Sequence, residues 1–307
     1  RIKARVRLFA FCQLVLAFLV PSTLFLIRAS KPFMGITTGE LLGYGPMIVS
    51  TFTLLALPCA LMGFLFSLAC RIYRDQAGYP AESIARIYVM EAVGALTGGL
   101  LVSYFLIRYI YAFNILLLLF FLNMIASAMM QGFAGEYRLK GFVRAITVFL
   151  VVAGAAATLS GADVAIRRIS LDRLWSGFKV LASTDSVYGN ITVTERGDQR
   201  SFYENGLHLY TVPDRLSAEE SVHFAMLQKL YPREVLLIGG GAGGILEEIL
   251  KYDVKRIDYL ELDPAIISAA RKYLPPEEAA SLDDPRVNIV NQDGRFFVKN
   301  TASRYDT

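Results

Sequence analysis

Residues 235–244, VLLIGGGAGG, run from an apolar stretch straight into five glycines in six positions, and ILEEILKY with helical spacing follows. The pattern reads as a strand, a tight turn and a helix. Gly239, Gly241 and Gly244 fit G-x-G-x-x-G, in which side-chain-free turns let the backbone approach a nucleotide and present amides at a helix N-terminus. The next apolar run, Ile257–Leu262, carries Glu261 near its end. That is about 20 residues past the loop, where an acidic side chain accepts hydrogen bonds from ribose hydroxyls. A third strand, Val287–Val290, leads to Asp293-Gly294, so one βαβαβ half is visible. Glu261 and Asp293 both stand at strand ends, where acids in α/β domains either contact a ligand or are merely solvated.

Upstream, the composition divides the chain. Residues 1–162 hold 13 Lys/Arg and 5 Asp/Glu, and residues 163–307 hold 18 and 22, so the overall +4 is +8 in the first part and −4 in the second. The positive charge of the first part sits between long apolar runs, as in membrane loops, and does not point to nucleic acid. Five runs are read, at about Arg7–Ile27, Tyr44–Cys70, Ile87–Ile107, Tyr109–Met130 and Phe142–Ser160. Each is near the ~20 residues needed to span a bilayer. The expected organisation is a transmembrane helical region over 1–162, an amphipathic connector over 163–182, and a soluble part from 183 onward. The chain starts with Arg and stops in what reads as the approach to another strand, as expected of a fragment lacking both ends.

Cys12, Cys59 and Cys70 lie in the apolar runs at spacings that match no metal site, and His208 and His223 are not at ligand spacing, so no metal is expected. In the third run, Glu91 is an ionisable group at membrane depth and a candidate site residue, with nearness to the interface as the bland alternative. Gly94 and Gly98 form a G-x-x-x-G face suited to close helix packing. Pro46 and Pro58 in the second run suggest a kink or a re-entrant break. Ten positive residues flank one set of loops (Arg1, Lys3, Arg5, Arg7, Arg71, Arg74, Arg86, Arg138, Lys140, Arg144), against Arg28, Lys31 and Arg108 on the other. With five spans, this asymmetry places the soluble part outside the cytoplasm. A nucleotide-type ligand argues for the cytoplasm.

Taken together, DSVYGNITV (185–193), FYENGLHLY (202–210), EESVHF (219–224), VLLIGGGAGG, YLELDP (259–264), DDPRVNIVNQDGRFF (283–297) and the closing YD resemble the polyamine aminopropyltransferase (spermidine synthase) family over about residues 183–307. With the preceding spans, including ARIYVMEAVGALTGGLLVSYFLI, the chain is similar to bacterial membrane proteins that fuse a hydrophobic region to a spermidine-synthase-like domain. The resemblance implies a small β-domain over 183–214 and a Rossmann-like, methyltransferase-type domain over 215–307, truncated at its C-terminus. It implies decarboxylated S-adenosylmethionine as aminopropyl donor and a diamine as acceptor. Carried over by position, Gly239, Gly240, Gly241 and Gly243 hold the nucleoside and methionine-derived part, Glu261 the ribose, and Asp293 with Gly294 the adenine edge. Tyr188, Glu219 and His223 are the candidate substrate pocket, with a packing role for His223 as the plainer reading.

Three positions depart from the family. Ala242 stands where the glycine loop carries an Asp, Gly189 where a Gln is usual, and Ala218 where a His is usual. Each departure removes a polar partner for a cationic amine, and a buried ammonium without one is costly. The Asp that acts as general base in the family is expected beyond Thr307. The first reading is therefore a membrane-anchored aminopropyltransferase-like enzyme. The alternatives are a methyltransferase-like enzyme using S-adenosylmethionine, and a non-catalytic membrane transporter or sensor with a nucleoside- or polyamine-binding domain. A dinucleotide dehydrogenase is disfavoured, because no hydride-transfer residues are evident. The expected partners are a lipid bilayer and a small amine or other small-molecule acceptor, with no nucleic acid and with self-association left open.

Overall fold

A computed structural model describes residues 2–36, 39–41, 43–77, 80–133, 145, 148–150, 152–154, 156 and 160–307. It divides into two compact units, Arg1–Thr37 with Leu42–Ser176, and Thr38–Leu41 with Gly177–Thr307.

The first unit is helical: α1 (Ile2–Phe33), α2 (Tyr44–Ala77), α3 (Pro80–Leu101), α4 (Ala112–Phe133) and α5 (Ala162–Leu174). Helix α3 runs on through a π-helical turn, Val102–Leu106, to Tyr109. Among the described residues, four helices, Ile2–Lys31, Tyr44–Gln76, Glu82–Tyr109 and Ala112–Gly132, are long and apolar enough to cross a membrane. The fifth expected run, Phe142–Ser160, lies largely outside the described residues. The break expected in the second run is not present, because α2 is one 34-residue helix with Pro58 inside it. Pro46 falls in its first turn, where a missing N–H costs nothing, and Pro58 removes one hydrogen bond of a long ladder. Ala10 and Ala17 on α1 and Met124 on α4 are fully buried. The small residues let the two helices close on each other, and Ser127 Oγ donates to the Ala10 carbonyl at 2.7 Å. Glu91 is exposed on α3. Arg86, five residues before it, pairs instead with Glu82 at 2.6 Å.

The second unit contains two sheets. Strands β1 (Lys179–Asp185), β2 (Asn190–Arg196), β3 (Gln199–Glu204) and β4 (Leu207–Val212) form an antiparallel meander in the order 1-2-3-4. The β3–β4 turn is Asn205-Gly206 with φ of 52° and 74°, the backbone sign that Asn-Gly supplies in a two-residue hairpin. After α6 (Arg215–Met226), β5 (Glu234–Ile238), β6 (Arg256–Leu260) and β7 (Val287–Val290) form a parallel sheet in the order 5-6-7. Helices α7 (Ile245–Leu250), α8 (Pro264–Tyr273), α9 (Pro276–Ser281) and α10 (Gly294–Asn300) complete the unit. Asp263 caps α8 by accepting from the Ala265 amide at 2.9 Å, and Pro264 at the first position suits the helix start.

Both sheets share one core, in which Val193, Phe202 and Val212 of the meander join Val222 and Met226 of α6 and Val235, Ile257 and Tyr259 of the parallel sheet. Residues β6 Ile257–Leu260 are all buried, as expected of a central parallel strand covered on both faces. Beyond α10, the Asp306 amide donates to the Glu234 carbonyl at 2.7 Å and Leu236 donates to Thr307 at 2.9 Å. The final residues therefore run along the other edge of β5.

Candidate functional site

The glycine loop leaves β5 with φ of 71° at Gly239 and 73° at Gly240, backbone that L side chains rarely adopt. The Gly239 amide donates to the Leu260 carbonyl at 2.8 Å, which seats the loop beside the end of β6, next to Glu261. Two glycines are required by their neighbours. A Cβ at Gly241 would come within 2.7 Å of the Tyr259 ring, and one at Gly243 within 2.7 Å of the Tyr210 ring, which is itself stacked on Phe202 at 4.7 Å. The loop thus rests on a floor of two tyrosines.

Glu261 is 8% exposed. Its Oε2 accepts from the Tyr259 hydroxyl at 2.9 Å and its Oε1 faces the Asp263 amide at 3.4 Å. Burial raises the Glu261 carboxyl above the usual carboxylate range, opposed by the Tyr259 hydroxyl and the backbone amides of Asp263 and Leu262. Desolvation is also the first cause of the raised Tyr259 and Tyr210 hydroxyls, with the Glu261 charge second. Both therefore stay protonated. Among the described residues, none hydrogen-bonds the buried Tyr210 hydroxyl.

The turn carrying Tyr188 is pinned to the same region. Ser186 Oγ donates to Asp263 Oδ2 at 2.5 Å and accepts from the amides of Tyr188 and Gly189 at 3.0 and 3.1 Å. Tyr188 itself is 49% exposed. A Cβ at Gly189 would meet the Asn205 side-chain amide at 2.2–2.6 Å, so a side chain there would have to displace it. Asn205 Oδ1 accepts from the Asn190 amide at 3.0 Å, so a side-chain amide from the neighbouring hairpin fills the room beside Gly189. Ala218 and Ala242 are both buried, Ala242 as part of the shared core.

Asp293 and Gly294 begin α10 against the end of β5, and Glu219 and His223 stand on α6. Asp293 caps α10 through Oδ1, which accepts from the Phe296 amide at 2.8 Å, and Gly294 packs so closely that a Cβ would lie 2.6 Å from Ile238. His223 bonds Tyr252 through Nδ1 at 2.7 Å and faces Glu248 through Nε2 at 3.5 Å, on the α7 side of α6. Glu219 is exposed one turn earlier. Neither lines the two cavities beside the loop. One, of about 210 Å³, is bounded by His208, Tyr210, Ser217, Ala218, Gly240 and Gly243. The other, of about 240 Å³, is bounded by Asp214, Ala218, Gly243, Glu247, Glu248 and Glu278.

Sequence reasoning missed Tyr259, Tyr210 and Ser186. For Tyr259 a signal existed, because residues two apart on a strand share a face and Tyr259 stands two before Glu261. Tyr210 reaches the loop, and Ser186 reaches Asp263, only through folding, and neither leaves a local mark.

A parallel sheet whose first strand opens into a glycine loop at its carboxyl end, with an acid after the second strand, defines the Rossmann-like class. Residues 216–307 match the family described as the spermine/spermidine synthase domain. A polyamine aminopropyltransferase of Streptococcus uberis is 41% identical over 104 residues, covering 33% of this chain and 36% of that protein. One from Corynebacterium efficiens is 29% identical over 231 residues, covering 73% of this chain and 44% of that protein. The solved spermidine synthase from Thermotoga maritima is 35% identical, covering 42% of this chain and 46% of its own, with a TM-score of 0.39. The chain spans under half the length of these relatives.

Proposed function

We propose that this chain is a membrane-anchored spermidine-synthase-like transferase that moves an aminopropyl group from decarboxylated S-adenosylmethionine to an amine acceptor. The observation that carries the reading is the family match over 216–307, within which the glycine loop is hydrogen-bonded beside the strand end that bears Glu261. In such a reaction the amine nitrogen forms a bond to the carbon beside the sulfonium. The carbon–sulfur bond breaks with its electron pair going to sulfur, methylthioadenosine leaves, and the amine gives up a proton. The sulfonium is already activated, so the protein supplies mostly position and a base.

In this scheme the loop backbone receives the nucleoside and its sulfur-bearing arm, Glu261 accepts from the ribose hydroxyls, and Asp293 with Gly294 borders the adenine. The acceptor approaches past the Tyr188 turn. Glu219, exposed on α6, is assigned to the acceptor's approach, and His223, turned toward Tyr252 and Glu248, takes the packing role. The helices anchor the enzyme in a bacterial inner membrane. In support, the Corynebacterium efficiens alignment covers more of this chain than Gly177–Thr307 supplies, so it extends into the helical half. The soluble unit is placed in the cytoplasm because sulfonium donors are made there, against the asymmetry of positive charge.

Calorimetry on the full-length protein tests the reading. Methylthioadenosine or S-adenosylmethionine is expected to bind more tightly than NAD, and Glu261→Ala to weaken binding by about 1–3 kcal/mol, the cost of leaving buried hydroxyls unpaired. A preference for NAD would overturn the assignment.

A further inference from the structure

Tyr259 is fully buried on the central strand of the parallel sheet, under the glycine loop and beside Glu261. Its ring lies where a Cβ at Gly241 would be, with Cζ, Cε1 and Cε2 at 2.7–2.9 Å, so the loop backbone sits directly on the aromatic face. The Gly241 backbone N–H faces the Tyr259 hydroxyl. That hydroxyl in turn donates to Glu261 Oε2 at 2.9 Å. One side chain therefore touches both parts of the nucleoside site, the loop through its ring and the carboxylate through its oxygen.

From this geometry we infer that Tyr259 is a positioning residue, which orients the Glu261 carboxylate toward a ribose diol and couples it to the glycine loop. The inference rests on the nucleoside reading of the site given above. A carboxylate offers about four acceptor positions. Tyr259 occupies one on Oε2 and the Asp263 amide faces Oε1, which leaves capacity for two ribose hydroxyls in a direction already set. Pre-organisation of this kind spares a ligand the cost of ordering a side chain that would otherwise rotate.

The hydroxyl also keeps Glu261 in its accepting form. Burial and the charge of Glu204 on β3 raise the Glu261 carboxyl, while donation from Tyr259 and from the Asp263 and Leu262 amides lowers it. Tyr210 of β4 is the other titratable neighbour, and burial keeps it neutral. Without the Tyr259 hydroxyl, the carboxyl takes up its proton at a higher pH and loses part of its capacity to accept from a diol.

The test uses the full-length protein, with methylthioadenosine and its 2′,3′-dideoxy counterpart as probes. Tyr259→Phe keeps the ring beneath Gly241 and removes only the hydroxyl. It is expected to weaken the riboside roughly 10- to 150-fold, the range spanned by one hydrogen bond to a charged group, and to leave the dideoxy probe unchanged. The loss of riboside binding on acidification should also begin at a higher pH than in the wild type. A purely structural role for Tyr259 predicts equal weakening of both probes, and that result overturns the inference. So does a Tyr259→Phe protein with wild-type affinity and pH profile. If the wild type does not distinguish the two probes, the ribose reading of Glu261 fails instead, which separates the two failures.

Discussion

Asp258 offers the sharpest stability prediction, because it is a fully buried carboxylate at the centre of the parallel sheet. Its Oδ1 accepts from Asn288 Nδ2 at 2.8 Å and Arg256 Nε at 3.1 Å, and its Oδ2 from the Tyr305 hydroxyl at 2.6 Å and Arg256 Nη2 at 2.7 Å. The network joins β6 to β7 and to the segment after α10. Asp258→Asn keeps one acceptor oxygen and puts an NH2 group opposite donors. It removes charge assistance from several bonds, each worth about 1.5–3 kcal/mol when charged against 0.5–1.5 when neutral, for a net loss of about 2–4 kcal/mol. Hydrogen exchange on the whole protein, read at Ile257–Leu260, should show protection falling roughly 30- to 1,000-fold, at about 1.4 kcal/mol per decade.

The pH dependence has a definite sign. Burial acts to raise the Asp258 carboxyl, but the hydrogen bonds from Tyr305, Asn288 and Arg256 outweigh it and leave it below its ordinary value. A depressed folded-state pKa contributes stability that is fully present above the unfolded value, near pH 4, and is lost as pH falls through the folded value. The wild type should therefore lose protection on β6 below about pH 4, and Asp258→Asn should lack this group's share of the loss. Protection in the variant within threefold of the wild type would refute the claim that the buried carboxylate ties these strands together.

Gly243→Ala forces a methyl into the Tyr210 ring, 2.7 Å from Cγ, and should destabilise the unit by about 1–3 kcal/mol, as overpacking does. Thermal unfolding in detergent checks this, and an unchanged midpoint would contradict the contact. Turnover of putrescine with decarboxylated S-adenosylmethionine should fall well below the usual enzyme median of about 10 per second, since Gly189, Ala218 and Ala242 bring no polar group toward an amine. A rate near that median, measured by methylthioadenosine release, would show the inference wrong. An alkaline phosphatase reporter fused after the domain in the full-length protein should be inactive if the domain is cytoplasmic. Activity would place it outside and favour a transporter or sensor.

Much of the architecture follows from local pattern. The strand–glycine–helix stretch at 235–250, the acid at 261 and the long apolar runs are written in adjacent residues, because strand and helix periodicities act over one or two turns of chain. Proline is a weaker local mark, because it need not break the helix that contains it. A Pro in the first turn of a helix costs nothing, and Pro58 within a long apolar helix did not break it.

What only the tertiary structure decided is how distant segments meet at the loop. Ser186 reaches Asp263 across 77 positions, Tyr210 fills the space that Gly243 leaves, Asn205 fills that beside Gly189, and His223 turns toward Tyr252 and Glu248. None of these follows from spacing, because they depend on how the strands of the meander pair and on which faces of the meander and α6 close against the parallel sheet. The glycines could be recognised from the sequence as places of close approach; the tyrosines that approach them could not, since a glycine records that room is needed and carries nothing about the side chain that takes it.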